Sequence, residues 1–132
     1  MRLFGQRWQL RAGNSLVIAD NACSWALWAQ ERFIVNGEVV RASEGFFRMS
    51  ASAKVPWLTT VEDSTLEVRL KSVMSGIACS AFLDQSPLMP EAVYVAQWSG
   101  ARRSWPDDDE WSAEAPLRWV AFLPGQKEAI EG

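Results

Sequence analysis

Two tryptophans enclose a run of four consecutive carboxylates, and this block is where the sequence offers the clearest chemistry. The run 107–110 lies between Trp105 and Trp111, and two arginines precede it. Indole rings anchor protein interfaces, and clustered charges of one sign steer an oppositely charged partner. We therefore predict a binding site made of Arg102, Arg103, Trp105, Asp107, Asp108, Asp109, Glu110 and Trp111.

The acidic run has two other interpretations. Calcium takes about six to eight oxygen ligands, usually from alternating loop positions with a glycine at the sharp turn. Four adjacent acids without a glycine match that pattern poorly, so no metal is expected. A solvated acidic loop or helical turn, neutralised by Arg102 and Arg103, is the simpler alternative.

A hairpin is the best-defined local structure in the sequence. Asn36-Gly37 lies between the apolar runs of Phe33–Val40, and this dipeptide is the strongest short-range signal for a two-residue type I′ turn. The turn length predicts the register: Val35 opposite Glu38, Ile34 opposite Val39, Phe33 opposite Val40, and Arg32 opposite Arg41.

The predicted register makes Arg32 and Arg41 a candidate anion site. Like charges directly across a strand pair are destabilising unless an opposite charge lies between them. Paired guanidinium groups suit a bound carboxylate or phosphate. A neighbouring glutamate, or stacking of Arg32 on Trp28, is the alternative way to relieve the repulsion.

Histidine is absent, which excludes Ser-His-Asp and Cys-His catalysis and His-ligated metal centres. Cys23 and Cys79 are too few for a four-thiolate metal site, and we expect buried reduced thiols, with one disulfide as the alternative. The sequence has no glycine-rich phosphate loop, and nothing selects a catalytic pair among its 16 acids. We therefore expect no enzyme activity and no cofactor.

Length and charge narrow the class of protein. The 132 residues suit one domain, with 48% hydrophobic and 22% charged residues. A net charge of −3 argues against nucleic-acid or anionic-membrane partners. No apolar run approaches the roughly 20 residues of a membrane span. The N-terminal residues do not form a signal-peptide core, so a cytoplasmic location is expected.

Closely spaced turn signals separate short runs rich in Val, Ile, Phe and Trp, which predicts about eight to ten antiparallel strands. In Thr65–Val73 apolar and charged residues alternate, and Ile77–Leu83 follows with one apolar face. We expect an all-β sandwich or partly closed β-barrel over residues 1–125, with a last strand at Leu117–Leu123 and a disordered tail at 126–132. Cys23–Arg32 could be a helix or a strand, whereas Pro90–Trp98 favours a strand.

These features favour a non-catalytic protein that recognises a basic protein partner through the Trp- and acid-rich loop. A small-ligand β-domain that binds a sugar or hydrophobic compound through its indoles is the first alternative. A carboxylate-based enzyme is the second.

Overall fold

The computed structural model describes residues 1–25, 27–46, 55–73 and 76–113, which form two antiparallel β-sheets. The strands are β1 (Arg2–Ala12), β2 (Ser15–Cys23), β3 (Trp28–Val35), β4 (Glu38–Phe46), β5 (Trp57–Val61), β6 (Ser64–Val73), β7 (Gly76–Leu83), β8 (Ser86–Pro87) and β9 (Ala92–Ser99). The larger sheet has the order β4-β3-β2-β1-β9, and the smaller sheet has the order β5-β6-β7-β8. Of the two predicted architectures, the sandwich is therefore confirmed.

Alternating apolar side chains of both sheets meet in one core. In β6, Leu66, Val68 and Leu70 are fully buried, which confirms the predicted alternation of that strand. Phe33 of β3 stacks on Trp57 of β5, with ring centroids 4.6 Å apart. The outer face of each sheet is thereby left free to carry polar groups.

Three hairpins turn through two residues that both have positive φ, at Asn36–Gly37, Glu62–Asp63 and Asp84–Gln85. Such turns match the twist of the flanking strands, but only the first contains the favoured glycine. In the other two, the turn carboxylates hold neighbouring groups. Glu62 accepts hydrogen bonds from the Asn14 amide and the Ser15 hydroxyl, each 2.8 Å long. Asp84 accepts one from the Thr65 amide, also 2.8 Å long.

The β3–β4 hairpin departs from its predicted register beyond the turn. The first two pairs, Val35–Glu38 and Ile34–Val39, are confirmed. A β-bulge then follows, and the predicted pairs that involve Val40 and Arg41 are wrong. The structure pairs Phe33 with Arg41 and Arg32 with Ala42. An extra residue in an edge strand cannot be foreseen from turn length, because the turn defines only the pairs next to it.

The segment Cys23–Arg32 is not a helix. β2 ends at Cys23, the chain reverses, and β3 begins at Trp28. The reversal is closed by a 3.0 Å hydrogen bond from the Ser24 amide to the Trp28 carbonyl, and Leu27 adopts a φ of 64°. The predicted strand in Pro90–Trp98 is confirmed as β9.

Cys23 and Cys79 are free thiols, as expected. Burial raises the pKa of each thiol to about 12. No helix within the described ranges is long and apolar enough to cross a membrane. The predicted strand at Leu117–Leu123 and the predicted tail at 126–132 lie outside the described residues.

Candidate functional site

A row of charged side chains crosses the outer face of the five-stranded sheet. The register places Arg7 of β1 opposite Asp20 of β2, and Asp20 opposite Arg32 of β3. Asp20 accepts hydrogen bonds from Arg7 Nε at 2.7 Å, from Arg7 Nη2 at 3.0 Å, and from Arg32 Nε at 2.8 Å. One carboxylate thus holds two guanidinium groups in neighbouring strands.

This charged row is buried rather than solvated. The side chains of Arg7, Asp20 and Arg32 are 7%, 0% and 17% exposed. Burial by itself would lower the pKa of Arg7, but its hydrogen bonds and charge attraction to Asp20, and then to Asp108, outweigh burial and raise it. Charges this deeply buried need partners on every side.

Two indoles of the loop at 100–113 cover this row. The guanidinium carbon of Arg7 lies 4.5 Å from the ring centroid of Trp111, and that of Arg32 lies 4.5 Å from the ring centroid of Trp105. Trp98 of β9 packs against both indoles, at 6.1 Å from Trp105 and 6.2 Å from Trp111. A cation over an indole face is attracted by the ring quadrupole, and more strongly where water is excluded. Arg7 and Arg32 therefore hold the loop against the sheet through its two indoles.

Gly5 makes room for this aromatic cluster. It lies in β1, two residues before Arg7, on the same outer face of the sheet. A Cβ at this position would lie 2.8 Å from Trp98 Cζ3 and 3.1 Å from Trp111 Cη2. The absence of a side chain lets the indoles approach the backbone of the sheet.

Backbone hydrogen bonds hold the loop at two further points. The side chain of Gln30 donates to the Ser104 carbonyl at 2.7 Å and accepts from the Arg103 amide at 2.9 Å. The Trp28 indole donates to the same Gln30 oxygen at 2.8 Å. Near the other end, Val95 and Ser112 exchange two backbone hydrogen bonds of 2.8 and 2.9 Å. The loop is thus fastened on both sides of its acidic run.

The acidic run forms a single 3₁₀ turn, Asp108–Glu110, at the tip of the clamped loop. This agrees with the helical-turn alternative of the sequence analysis. The Asp107 amide donates to the Glu110 carboxylate at 2.9 Å, and the Glu110 amide donates to the Asp107 carbonyl at 2.9 Å. All four acidic residues are exposed. Only Asp108 contacts a cation in the described part of the chain, at 3.3 Å from Arg7 Nη1.

The two arginines of the loop, Arg102 and Arg103, contact the five-stranded sheet. Arg103 forms a 2.9 Å ion pair with Glu44 of β4. The guanidinium of Arg102 lies 5.4 Å from the ring centroid of Trp28. The cations of the loop therefore lie away from the acidic turn and do not neutralise it at contact distance.

The eight predicted binding residues belong to one loop, in which Arg102 and Arg103 lie away from the acidic turn; Arg32 contacts this loop through Trp105, whereas Arg41 contacts Val55. Arg41 opposes Phe33, whose ring faces the core, and it donates to the Val55 carbonyl at 3.4 Å. Arg32 is paired with Asp20 and stacked on Trp105 rather than on Trp28. The arginine pair that defined the anion site is thus absent from the observed register.

Trp111, which the sequence analysis included in the predicted binding site, is buried. It is 8% exposed, because Arg7 and Trp98 cover its ring, whereas Trp105 is half-buried. Both indoles fix the loop to the sheet, which is a positioning role. The exposed charged groups of the loop are its carboxylates together with Arg102 and Arg103.

Sequence reasoning missed Arg7, Asp20 and Gln30, which position the loop. A signal for the first pair was present, because a two-residue turn at Gly13-Asn14 places Arg7 opposite Asp20. No comparable signal marks Gln30, since the loop groups that it binds are backbone groups more than 70 positions away.

Two of the described acids have shifted pKa values. The two carboxyl groups whose pKa values shift, Asp84 and Glu91, are both lowered by hydrogen bonds, which is the opposite of what a general acid needs at neutral pH. Carboxylate oxygens of Asp107, Asp109 and Glu110 lie within 4.8 Å of one another, but all three residues are exposed. Comparisons of this chain with protein-family models, curated proteins and solved structures give no significant match.

Proposed function

We propose that this chain is a non-catalytic binding protein whose acidic turn, Asp107–Glu110, recognises a basic surface on a protein partner. The observation that carries the proposal is the separation of charge within one loop. Arg103 is paired with Glu44, while Asp109 has no ion-pair partner among the described residues. Unpaired carboxylates on a projecting turn attract a basic partner and orient its approach.

The second support is the rigidity of the loop. Binding a partner with a mobile loop costs about 0.5–1.5 kcal/mol for each side chain that becomes ordered. Here the arginine–indole contacts, the Gln30 hydrogen bonds and the bridge to Ser112 already order the backbone around the turn. The acidic turn therefore meets its partner with most of that ordering complete.

Because Trp111 is buried, it is not one of the residues that contact the partner. The carboxylates and the exposed edge of the half-buried Trp105 face the partner, and Trp111 supports them from below. The interface is then mainly electrostatic, so its affinity falls as salt screens the charges. A protein with a lysine- or arginine-rich patch fits this surface, and a nucleic acid does not.

A nine-residue arginine peptide is a suitable probe for this surface. We compare the Asp109→Asn/Glu110→Gln variant with a control, Glu38→Gln/Asp63→Asn, which removes two equally exposed charges from other turns. Glutamine at 110 keeps an oxygen that accepts the Asp107 amide, so the turn is preserved. At about 0.5 kcal/mol for each lost charge pair, the first variant binds roughly fivefold more weakly.

The measurement is a titration by isothermal calorimetry at low and high salt, with amide chemical shifts to locate the site. We expect shifts centred on residues 107–110 and a twofold change or less for the control. Equal weakening in both variants would show that only net charge matters, and shifts elsewhere would show another site. Either result overturns the proposal.

A further inference from the structure

A groove lies on the outer face of the smaller sheet, on the opposite side of the sandwich from the acidic turn. Its volume is about 400 Å³, within the range of small-molecule sites. The groove is lined by Leu58, Thr65, Glu67, Phe82, Asp84 and Gln85. It belongs to no part of the site described above.

The strand register explains the shape of the groove. Leu58 of β5, Glu67 of β6 and Phe82 of β7 are consecutive members of one cross-strand row. The apolar side chains of Leu58 and Phe82 lie on the two flanking strands, and the shorter Thr65 lies on β6 between those strands. The floor therefore follows β6 between two apolar walls. Leu58 is 62% exposed, so its side chain is accessible to a ligand in the groove.

Among the described residues that line the groove, the charges have one sign. Its charged lining residues are Glu67, which is half-buried, and Asp84 at one end. Hydrogen bonds from the Thr65 amide, and then from the Ser64 hydroxyl, lower the pKa of Asp84, so this carboxylate is ionised at neutral pH. The neighbouring cations on the outer face of β6, Arg69 and Lys71, are not part of the lining.

We propose that this groove binds a small organic cation with an apolar chain, of the alkylammonium class. The chain lies between Leu58 and Phe82, and the ammonium group meets the carboxylates of Glu67 and Asp84. Anions are repelled, and a neutral alcohol lacks the charge that the two carboxylates select. This site is independent of the proposed function, because it uses other residues on another face.

The probe is n-octylammonium, and 1-octanol and octanoate serve as ligands with the same chain and a different charge. Binding is followed by amide chemical shifts during titration. We expect saturable shifts along β5, β6 and β7 for the ammonium, and a dissociation constant at least fivefold higher for each of the other two. Equal binding of all three ligands overturns the proposal, as do shifts outside the groove.

Two variants test the residues. Glu67→Gln removes one of the two charge pairs and weakens octylammonium binding about twofold, and the matched control Glu38→Gln, an exposed acid on another hairpin, leaves it unchanged. Leu58→Ser weakens all three ligands, and because Leu58 is exposed its replacement preserves the fold, as circular dichroism checks. Unchanged binding in Glu67→Gln and Leu58→Ser, or equal loss in the control, refutes the assignment.

Discussion

Asp20 supplies the negative charge that holds both arginines beneath the loop. It is fully buried and accepts three hydrogen bonds of 2.7, 3.0 and 2.8 Å from Arg7 and Arg32. Asp20→Asn keeps the shape but removes the charge, so two guanidinium groups lose their shared counter-charge below the indoles. Removing one partner of a buried ion pair costs about 3–5 kcal/mol. That is a large part of the roughly 5–15 kcal/mol that stabilises a domain.

Urea unfolding followed by circular dichroism measures this loss. With a slope of about 2 kcal/mol per molar urea, we expect the midpoint to fall by roughly 2 M. The control is Glu44→Gln, which breaks the partly exposed ion pair with Arg103 and costs about 0–1 kcal/mol. Adding Arg32→Met to Asp20→Asn recovers part of the stability, because one stranded cation is replaced by an apolar chain.

Three results would refute this account of the clamp. The first is an Asp20→Asn protein within about 1 kcal/mol of the parent chain, since the buried charge would then be dispensable. The second is an equal loss in Glu44→Gln, which would make the buried row no different from a surface pair. The third is further destabilisation by Arg32→Met in the Asp20→Asn background, which would show that the guanidinium has another essential partner.

Three other changes have expected outcomes. Gly5→Ala lowers the free energy of unfolding by about 1–3 kcal/mol, because the new Cβ would lie 2.8 Å from Trp98. Thermal or urea unfolding measures this loss, and an unchanged midpoint would contradict the packing. Burial raises the pKa of Cys23 and of Cys79 to about 12, so both thiols resist Ellman's reagent at pH 8 until urea is added. For the same reason, the free energy of unfolding falls as pH rises from about 9 toward 12. Hydrogen bonds lower the pKa of Glu91, so the stability that this carboxylate contributes is present above its ordinary pKa and is lost as pH falls through the lowered value. Glu91→Gln therefore makes the free energy of unfolding less dependent on pH in this acidic range. An identical acid profile would contradict this.

Local sequence signals predicted the class of fold and several of its strands. Strict alternation in β6 and the turn at Asn36–Gly37 act over a few residues, so their consequences are visible in the chain. The bulge after Ile34–Val39 is different, because it adjusts an edge strand to the twist of its sheet. A register counted outward from the turn therefore failed one residue beyond that pair.

The residue types of 102–111 marked this loop as a candidate site, but the sequence did not predict where its side chains lie. Their exposure depends on what covers them, and for Trp111 the cover is Arg7, more than 100 positions earlier in the chain. No local pattern contains that information.

The sequence by itself determined the class of fold, the alternation of the central strands and the position of an acidic run between two tryptophans, because these depend on neighbouring residues and short periods. Only the tertiary structure decided that Asp20 joins Arg7 to Arg32, that the two cations hold Trp111 and Trp105, and that the acidic turn is exposed. The reason is that a buried charge must find its partners in space, and strand pairing brings those partners together from distant parts of the chain.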